Sequence, residues 1–365
     1  MRITAIDLFC GIGGLTHGLK LAGLNVVAGF DIDPTCKYAY EENNEAVFVE
    51  ADVATLTKEK INSYYLKGDI KVLVGCAPCQ PFSKYTNRYR KNKNENKEEE
   101  LAENKNHRKW QLVESFAEKI SLVLPDVVSM ENVPELENTK VFKKFLKILK
   151  NYGYNVNHSI VYCPDYGVPQ NRKRLVLLAS RLGDINLIAP EYTPENYITV
   201  RNAIGNLPEL KAGERYENDN LHFCASLNKL NLRRIKSSKQ GGTWRDWKKS
   251  LQLKCHKRST GKSYPSVYGR MSWDFPSPTI TTQFYGYGNG RFGHPVQDRA
   301  ISIREGAILQ SFPKDYKLVD ESDNISTKTI GTHIGNAVPV ELGRAIGISI
   351  INHIKEAKSN GQDNY

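Results

Sequence analysis

The sequence predicts an α/β fold: a mostly parallel sheet with helices on both faces, joined to a smaller irregular domain. Three observations predict it. Short apolar runs alternate with helix-patterned segments through the first half of the chain, as expected of parallel strands linked by crossover helices. Glycine-rich or acidic turns follow several of those runs, where such a sheet binds ligands. From about residue 184 the alternation fails, and positive charge accumulates instead.

Taken in order, Ile3–Phe9 reads as a strand and Gly14–Ala22 as a helix. Val26–Phe30 is a strand, Thr35–Asn43 a helix, and Ala46–Val49 and Val72–Val74 are short strands. Leu112–Leu124 is a helix, Val127–Met130 a strand, Val141–Tyr152 a helix and Leu175–Ala179 a strand. Two stretches break the rhythm. Residues 84–109 are rich in Lys, Asn and Glu with almost no apolar side chains, which predicts a mobile loop. Residues 184 to about 302 carry frequent Pro and Gly and little periodicity. Regular pattern returns at Ser302–Gln310 and in a long amphipathic helix, Val340–Ile354. The expected division is 1–183 with 291–365 as one domain and 184–290 as the other.

A chain of 365 residues, 40% hydrophobic and 25% charged, has the composition of a soluble globular protein. No long uncharged apolar run is evident, so no membrane span is expected. The N-terminus enters a strand pattern at once, which argues against a signal peptide. Seven scattered cysteines suit reduced thiols in the cytoplasm better than a disulfide framework. The net charge is +11, and residues 201–275 hold 16 Lys/Arg against 6 Asp/Glu, so one block supplies +10 of it. Trp244, Trp247, Tyr264, Tyr268 and Trp273 lie in the same block. Clustered positive charge with aromatics is the footprint of a nucleic-acid surface, against the plainer reading of a solvated basic face.

The turn Asp7-Leu8-Phe9-Cys10-Gly11-Ile12-Gly13-Gly14 leaves the first strand and opens the first helix. Its glycines allow close backbone approach to a ligand. Asp31-Ile32-Asp33 follows the second strand, where a carboxylate can hold a ribose diol. Asp52-Val53 follows the third and could meet an adenine amino group. Together these favour an adenosine-containing cofactor over an ordinary tight turn, and the spacing differs from the Gly-x-Gly-x-x-Gly of dinucleotide sites.

Cys76 and Cys79 form a C-x-x-C pair beyond Val72–Val74. Redox and zinc readings are open for the pair, but Cys224 and Cys255-His256 are poorly spaced to complete a metal site. Met130-Glu131-Asn132-Val133-Pro134 follows another apolar strand, which brings Glu131 to the same sheet edge as Cys79. A solvated loop residue is the plainer reading of that Glu. Arg174 abuts Leu175–Ala179 and could hold an anion at that edge; an ordinary basic turn is its alternative.

These motifs, in this order, resemble the DNA (cytosine-5) methyltransferase family. Residues 7–14 are similar to its cofactor motif, Pro78-Cys79-Gln80 to its nucleophile motif, and Glu131-Asn132-Val133 to its acid motif. Gln170-Asn171-Arg172-Lys173-Arg174 resembles its paired-arginine motif. Arg304-Glu305 with Leu309–Pro313, and then Gly335–Pro339, resemble its last two motifs. The resemblance implies a Rossmann-like S-adenosylmethionine-dependent methyltransferase domain, with 184–290 as a target-recognition domain. It implies Cys79 as the nucleophile and Glu131 as the acid that contacts the flipped base, with Arg174 and Arg172 in support. S-adenosylmethionine would be held by Asp7, Phe9, Gly11, Gly13, Gly14, Asp31, Ile32, Asp52, Val53, Pro78 and Asn336. Gln80, Ser83, Lys84 and Arg88 would touch DNA, the loop 84–109 closing over the flipped nucleotide. Double-stranded DNA is the implied partner, with a restriction endonuclease acting on the same site as a further one. A cytoplasmic monomer without a metal is expected. Cys76 is left as a packing residue beside the nucleophile.

Three rivals are weighed. A tRNA cytosine-5 methyltransferase would share the catalytic domain, but its Cys-Phe-Thr signature is absent. A catalytically silent DNA-binding relative would be expected to lack Cys79, Glu131 or the glycine turn, and all are present. A nicotinamide-dependent oxidoreductase is disfavoured by the glycine spacing.

Overall fold

The structure, a computed structural model, describes residues 2–78, 98–258, 265–320 and 325–362; over 98–110 and 360–362 it describes the backbone alone. Cys79, Gln80, Ser83, Lys84 and Arg88 lie outside the described residues.

Seven strands form one sheet in the order β3-β2-β1-β4-β5-β7-β6. They are β1 (Ile3–Leu8), β2 (Asn25–Asp31), β3 (Val47–Glu50), β4 (Ile70–Gly75), β5 (Val127–Asn132), β6 (Asn155–Tyr162) and β7 (Lys173–Ser180). β1 to β5 run parallel, and β7 lies antiparallel between β5 and β6. Every residue of β5, and every residue of β1 after Ile3, is buried. Successive side chains of a strand point to opposite faces, so both faces of the sheet are covered there. The strand order reverses between β1 and β4, and the crevice for a ligand opens at the carboxyl ends beside that switch.

The helices follow from the same patterning. Helix α1 (Gly14–Leu21) and α2 (Lys37–Asn44) flank β2, and α3 (Lys58–Asn62) is a single short turn of helix before β4. Helix α4 (Glu98–Val123) packs beside α5 (Lys140–Asn151). The hydroxyl of Thr139 accepts the Phe142 N–H at 3.1 Å and caps α5. That helix buries Val141, Phe142, Phe145 and Leu149 on one face. Phe145 and Phe116 meet at 5.9 Å in the core beneath the sheet edge. Each such side chain contributes about 2 kcal/mol by leaving water.

The chain's last helix packs against its first. At Gly18 of α1 an added Cβ would stand 2.2 Å from the carbonyl oxygen of Val340. Gly343 and Gly347 make the reciprocal approach from the long helix Val340–Gln362. Only backbones without side chains can cross this closely.

Several expectations are corrected here. Helix α4 begins at Glu98, so 98–109 are helical rather than part of a mobile loop; charged side chains favour a helix as readily as a loop. Glu131 is a strand residue, not a loop residue. Strand β6 and helix α3 were not foreseen. β6 is an edge strand that exposes half its side chains, so Asn, His and Ser dilute the apolar signal. The long helix Val340–Gln362 is apolar over much of its length, and its residues from Val340 to Ile354 are mostly buried inside the protein.

The chain divides into two compact units. The first comprises 1–162, 173–189 and 340–365; the second comprises 163–172 and 190–339. The second has little regular structure: α6 (Val200–Ile204), α7 (Lys229–Lys236), α8 (Ile303–Leu309) and α9 (Thr327–Asn336) are separated by turns. The long helix Val340–Gln362 is α10.

Candidate active site and nucleic-acid interface

The glycine turn after β1 is laced to the end of β2. The Gly11 N–H donates to Asp31 Oδ2 at 2.8 Å, and the Asp33 N–H to Asp31 Oδ1 at 3.0 Å. Phe9, Gly11 and Gly13 all have left-handed backbones, with φ of 62°, 50° and 84°. Glycine accepts this freely, whereas Phe9 does so at a cost of about 1–3 kcal/mol, the strain typical of ligand sites. Asp7 is buried, and its Oδ2 accepts the Thr16 hydroxyl at 2.7 Å. Burial raises the Asp7 carboxyl to about 7, with Thr16 opposing and Asp31 adding to the rise. Burial likewise raises Asp31, its two backbone donors opposing. The Cys10 thiol is pushed well up by burial and by these two acids, which removes it as a thiolate nucleophile.

Ile32 exposes 65% of its surface directly beside Asp31. Asp52 accepts the Ala54 N–H on Oδ1 at 2.9 Å. Val53 is buried in the core, and Pro78 is exposed. Open space lies where a Cβ on Gly11 would be. The strand ends thus present a shallow cradle with an exposed apolar floor and carboxylates at Asp31 and Asp52.

Glu131 lies in β5 opposite Val176 of the antiparallel β7. Arg174 is two residues before Val176, hence on the same sheet face and diagonal to Glu131. Its Nε reaches Glu131 Oε1 at 2.8 Å. The second oxygen, Oε2, accepts the Cys76 thiol at 2.9 Å. Glu131 is 2% exposed, so these partners matter: an isolated buried carboxylate is costly. Asn132 Nδ2 donates to the Ala77 carbonyl at 3.0 Å, which ties the turn after β4 to β5. Sequence reasoning named Glu131 and Arg174 but took Cys76 for packing. Its place at the end of β4, one strand from Glu131, was the available signal.

Arg172 belongs to the second unit. It is buried and donates to the carbonyls of Ile280 and Gly335 at 3.1 and 3.3 Å and to Gln170 at 3.2 Å. Asn336, exposed, ends α9 in the same unit.

The second unit carries a basic surface over an aromatic core. Lys229, Arg233, Lys236, Lys239, Arg245, Lys248, Lys249, Lys254, Lys257 and Arg258 are all exposed. Beneath them Ile235, Trp244, Trp247 and Tyr287 form a small cluster. His256 stacks on Trp244 at 4.2 Å, and the Arg234 guanidinium lies 5.6 Å from both Trp247 and Tyr268. Arg270 is buried and serves as a staple. It donates to the carbonyls of Ile235, Ser238, His294 and Gln297 and pairs with Asp298. Alternating exposed cations with buried rings leaves the charge on one side, which is how a phosphate-binding surface is built.

Residues 3–352 match the family of C-5 cytosine-specific DNA methylases. The chain is 51% identical over 348 residues to Type II methylase M.HgiDII of Herpetosiphon aurantiacus, covering 94% of each. It is 29% identical to Type II methyltransferase M1.HphI of Haemophilus parahaemolyticus, over 96% of this chain and 87% of that one. Among solved structures, Entamoeba histolytica methyltransferase EhMeth overlays with a TM-score of 0.63 at 15% identity, covering 97% of this chain and 99% of that one. That last likeness concerns the fold alone.

Proposed function

This chain belongs to the C-5 cytosine-specific DNA methylase family, and on that premise we propose that it transfers a methyl group from S-adenosylmethionine to C5 of cytosine at a specific duplex DNA sequence. The observation that carries the reading is the buried carboxylate of Glu131, held by Arg174 and Cys76 at the end of β5. Cys79, three residues after Cys76 in sequence, lies outside the described residues.

The cradle fits an adenosine-bearing cofactor. Asp31 keeps lone pairs beyond those used by Gly11 and Asp33, enough for a ribose diol. Ile32 offers an apolar face to a base, and Asp52 retains an oxygen for an exocyclic amine. When bound, the cofactor supplies an electrophilic methyl on sulfur.

In this reading Cys79 adds as thiolate to C6 of cytosine, which makes C5 nucleophilic. Glu131 accepts from the exocyclic amine and shares a proton with N3, which stabilises the charge that addition places on the ring. After C5 is alkylated, a base takes the C5 proton and the thiolate is eliminated, which restores the enzyme. The target must leave the stack first, since C6 is hidden in a duplex. The exposed cations between 229 and 258 would grip the phosphates, with Gln80, Ser83, Lys84 and Arg88 nearer the flipped nucleotide. Arg172 is proposed to support catalysis and Asn336 to contact the cofactor. Residues 184–290 are proposed as the recognition region, a monomer in the cytoplasm as the working form, and an endonuclease cutting the same sequence as partner. The Type II names of the relatives support that pairing.

Bisulfite sequencing of duplex DNA treated with enzyme and S-adenosylmethionine tests the reading. Methylcytosine at one sequence context is expected, and Cys79→Ser should lose at least about a thousandfold in rate. Wild-type turnover by that variant would overturn the covalent mechanism.

A further inference from the structure

We propose that Cys76 is a positioning residue for Glu131: its thiol fixes the plane of the carboxylate before the base arrives and gives way when the base binds. The proposal rests on the assignment of Glu131 as the acid that contacts the base.

The torsion that turns a Glu carboxylate is broad and shallow, so one contact does not fix its plane. Arg174 Nε holds Oε1 at 2.8 Å, which leaves rotation about that bond. The Cys76 thiol on Oε2, at 2.9 Å, supplies the second point and thereby defines the plane. The two contacts, an ion pair from Arg174 and a hydrogen bond from Cys76, come from the start of β7 and the end of β4, on either side of β5.

Cys76 is itself held. Its N–H donates to the Leu8 carbonyl at 3.3 Å. Gly75 before it passes so close to Leu8 that an added Cβ would stand 2.8 Å from that same oxygen. Ala77 after it is pinned by Asn132 at 3.0 Å. The thiol therefore sits at a fixed height over the carboxylate.

A thiol suits the task because it is a weak donor. It satisfies a buried oxygen in the free enzyme, yet the exocyclic amine of the base can displace it at little cost. A stronger, charged donor there would compete with the base. In sequence, Cys76 stands three residues before Cys79, the proposed nucleophile.

The test uses the full chain with Cys76→Ala, Cys76→Ser and Glu131→Gln, and duplex DNA carrying the methylated sequence. Cys76→Ala should lower kcat about tenfold, the weight of a hydrogen bond to a charged group, with KM for DNA and cofactor within about twofold. Cys76→Ser, which restores a donor, should recover kcat to within about threefold. Trapping on a duplex with 5-fluorocytosine at the target reports the addition step, since no C5 proton can leave; it should slow in parallel with kcat. Should the alanine variant not fold, Cys76→Val against Cys76→Ser gives the same contrast. Alanine (or valine) at wild-type kcat and trapping rate, or serine as impaired as alanine, overturns the proposal. If Glu131→Gln keeps wild-type activity, the reading of Glu131 falls instead, and the two failures are thereby told apart.

Discussion

Two sets of acids, at the ends of β1 and β2 in the first unit and around α8 in the second, are held in opposite ways. Among the described residues, the acids at the carboxyl ends of β1 and β2 have no cation against them. Asp7 meets a hydroxyl and Asp31 two backbone N–H groups, and burial raises both. In the second, buried Glu305 and half-buried Asp219 are matched to arginines. Arg299 grips Glu305 with both terminal nitrogens, at 2.7 and 2.8 Å, and Arg304 holds Asp219 at 2.6 and 3.0 Å. Burial alone would raise Glu305 and Asp219, but their arginines win and hold both below the usual carboxylate range. Among the described residues the second unit holds none of the strands β1 to β7, and ion pairs stand where strand pairing would. On the proposed reading, the strand-end acids serve binding and the arginine-held acids serve architecture.

The largest effect should come from the architectural acids. Arg299→Met strands Glu305 as a buried charge and should cost about 3–5 kcal/mol of stability, read by urea denaturation. Below the transition, affinity for S-adenosylhomocysteine should stay intact; an equal loss of both would break the comparison. Next, Asp31→Ala should weaken that affinity about a hundredfold by calorimetry, with the melting temperature unchanged or raised. A variant that melts earlier but binds normally would place Asp31 with the architectural acids.

The third effect is a divergence with pH, read by amide exchange in each unit. Burial lowers His294 to about 4, from 6.5. Between those values the unfolded chain binds a proton that the folded one refuses. Stability of the second unit should thus fall as pH drops through that window, by roughly 1.4 kcal/mol per unit of pH. Asp7, raised from 3.8 to about 7, does the reverse. Its folded form keeps a proton that the unfolded chain releases, so its contribution is full below 3.8 and lost as pH rises through about 7. Parallel trends in the two units would contradict the comparison. The smallest effect belongs to the surface: Arg233→Gln should weaken DNA binding by under about 1 kcal/mol and reduce the salt slope by about one.

The sheet was legible where burial on both faces makes apolar runs continuous, as in β1, β4 and β5. It was illegible at β6, whose edge position admits polar side chains. The start of α4 was hidden because its first turns carry charge instead of an apolar stripe. At the site, Glu131 and Arg174 could be named from the chain, but not their meeting. That contact depends on β7 running antiparallel, which brings its beginning to the edge where β5 ends. Cys76 was misjudged because a cysteine beside a more conspicuous one offers no periodicity to read. The staple Arg270 was equally hidden, since its partners are carbonyls, which every residue has.

The crossing of α1 and α10 bears on how this protein comes into being. Helix α1 opens from the glycine turn, and its Gly18 lies against the backbone of Val340. More than 300 residues of chain separate α1 from α10, so synthesis completes α10 long after α1. Helix α1 also meets β2 and α2, but until α10 emerges the face that Gly18 opens has no backbone to close it, and the glycine turn at its head lacks that support. A nascent or prematurely terminated chain would therefore carry its basic surface before the glycine turn is finished.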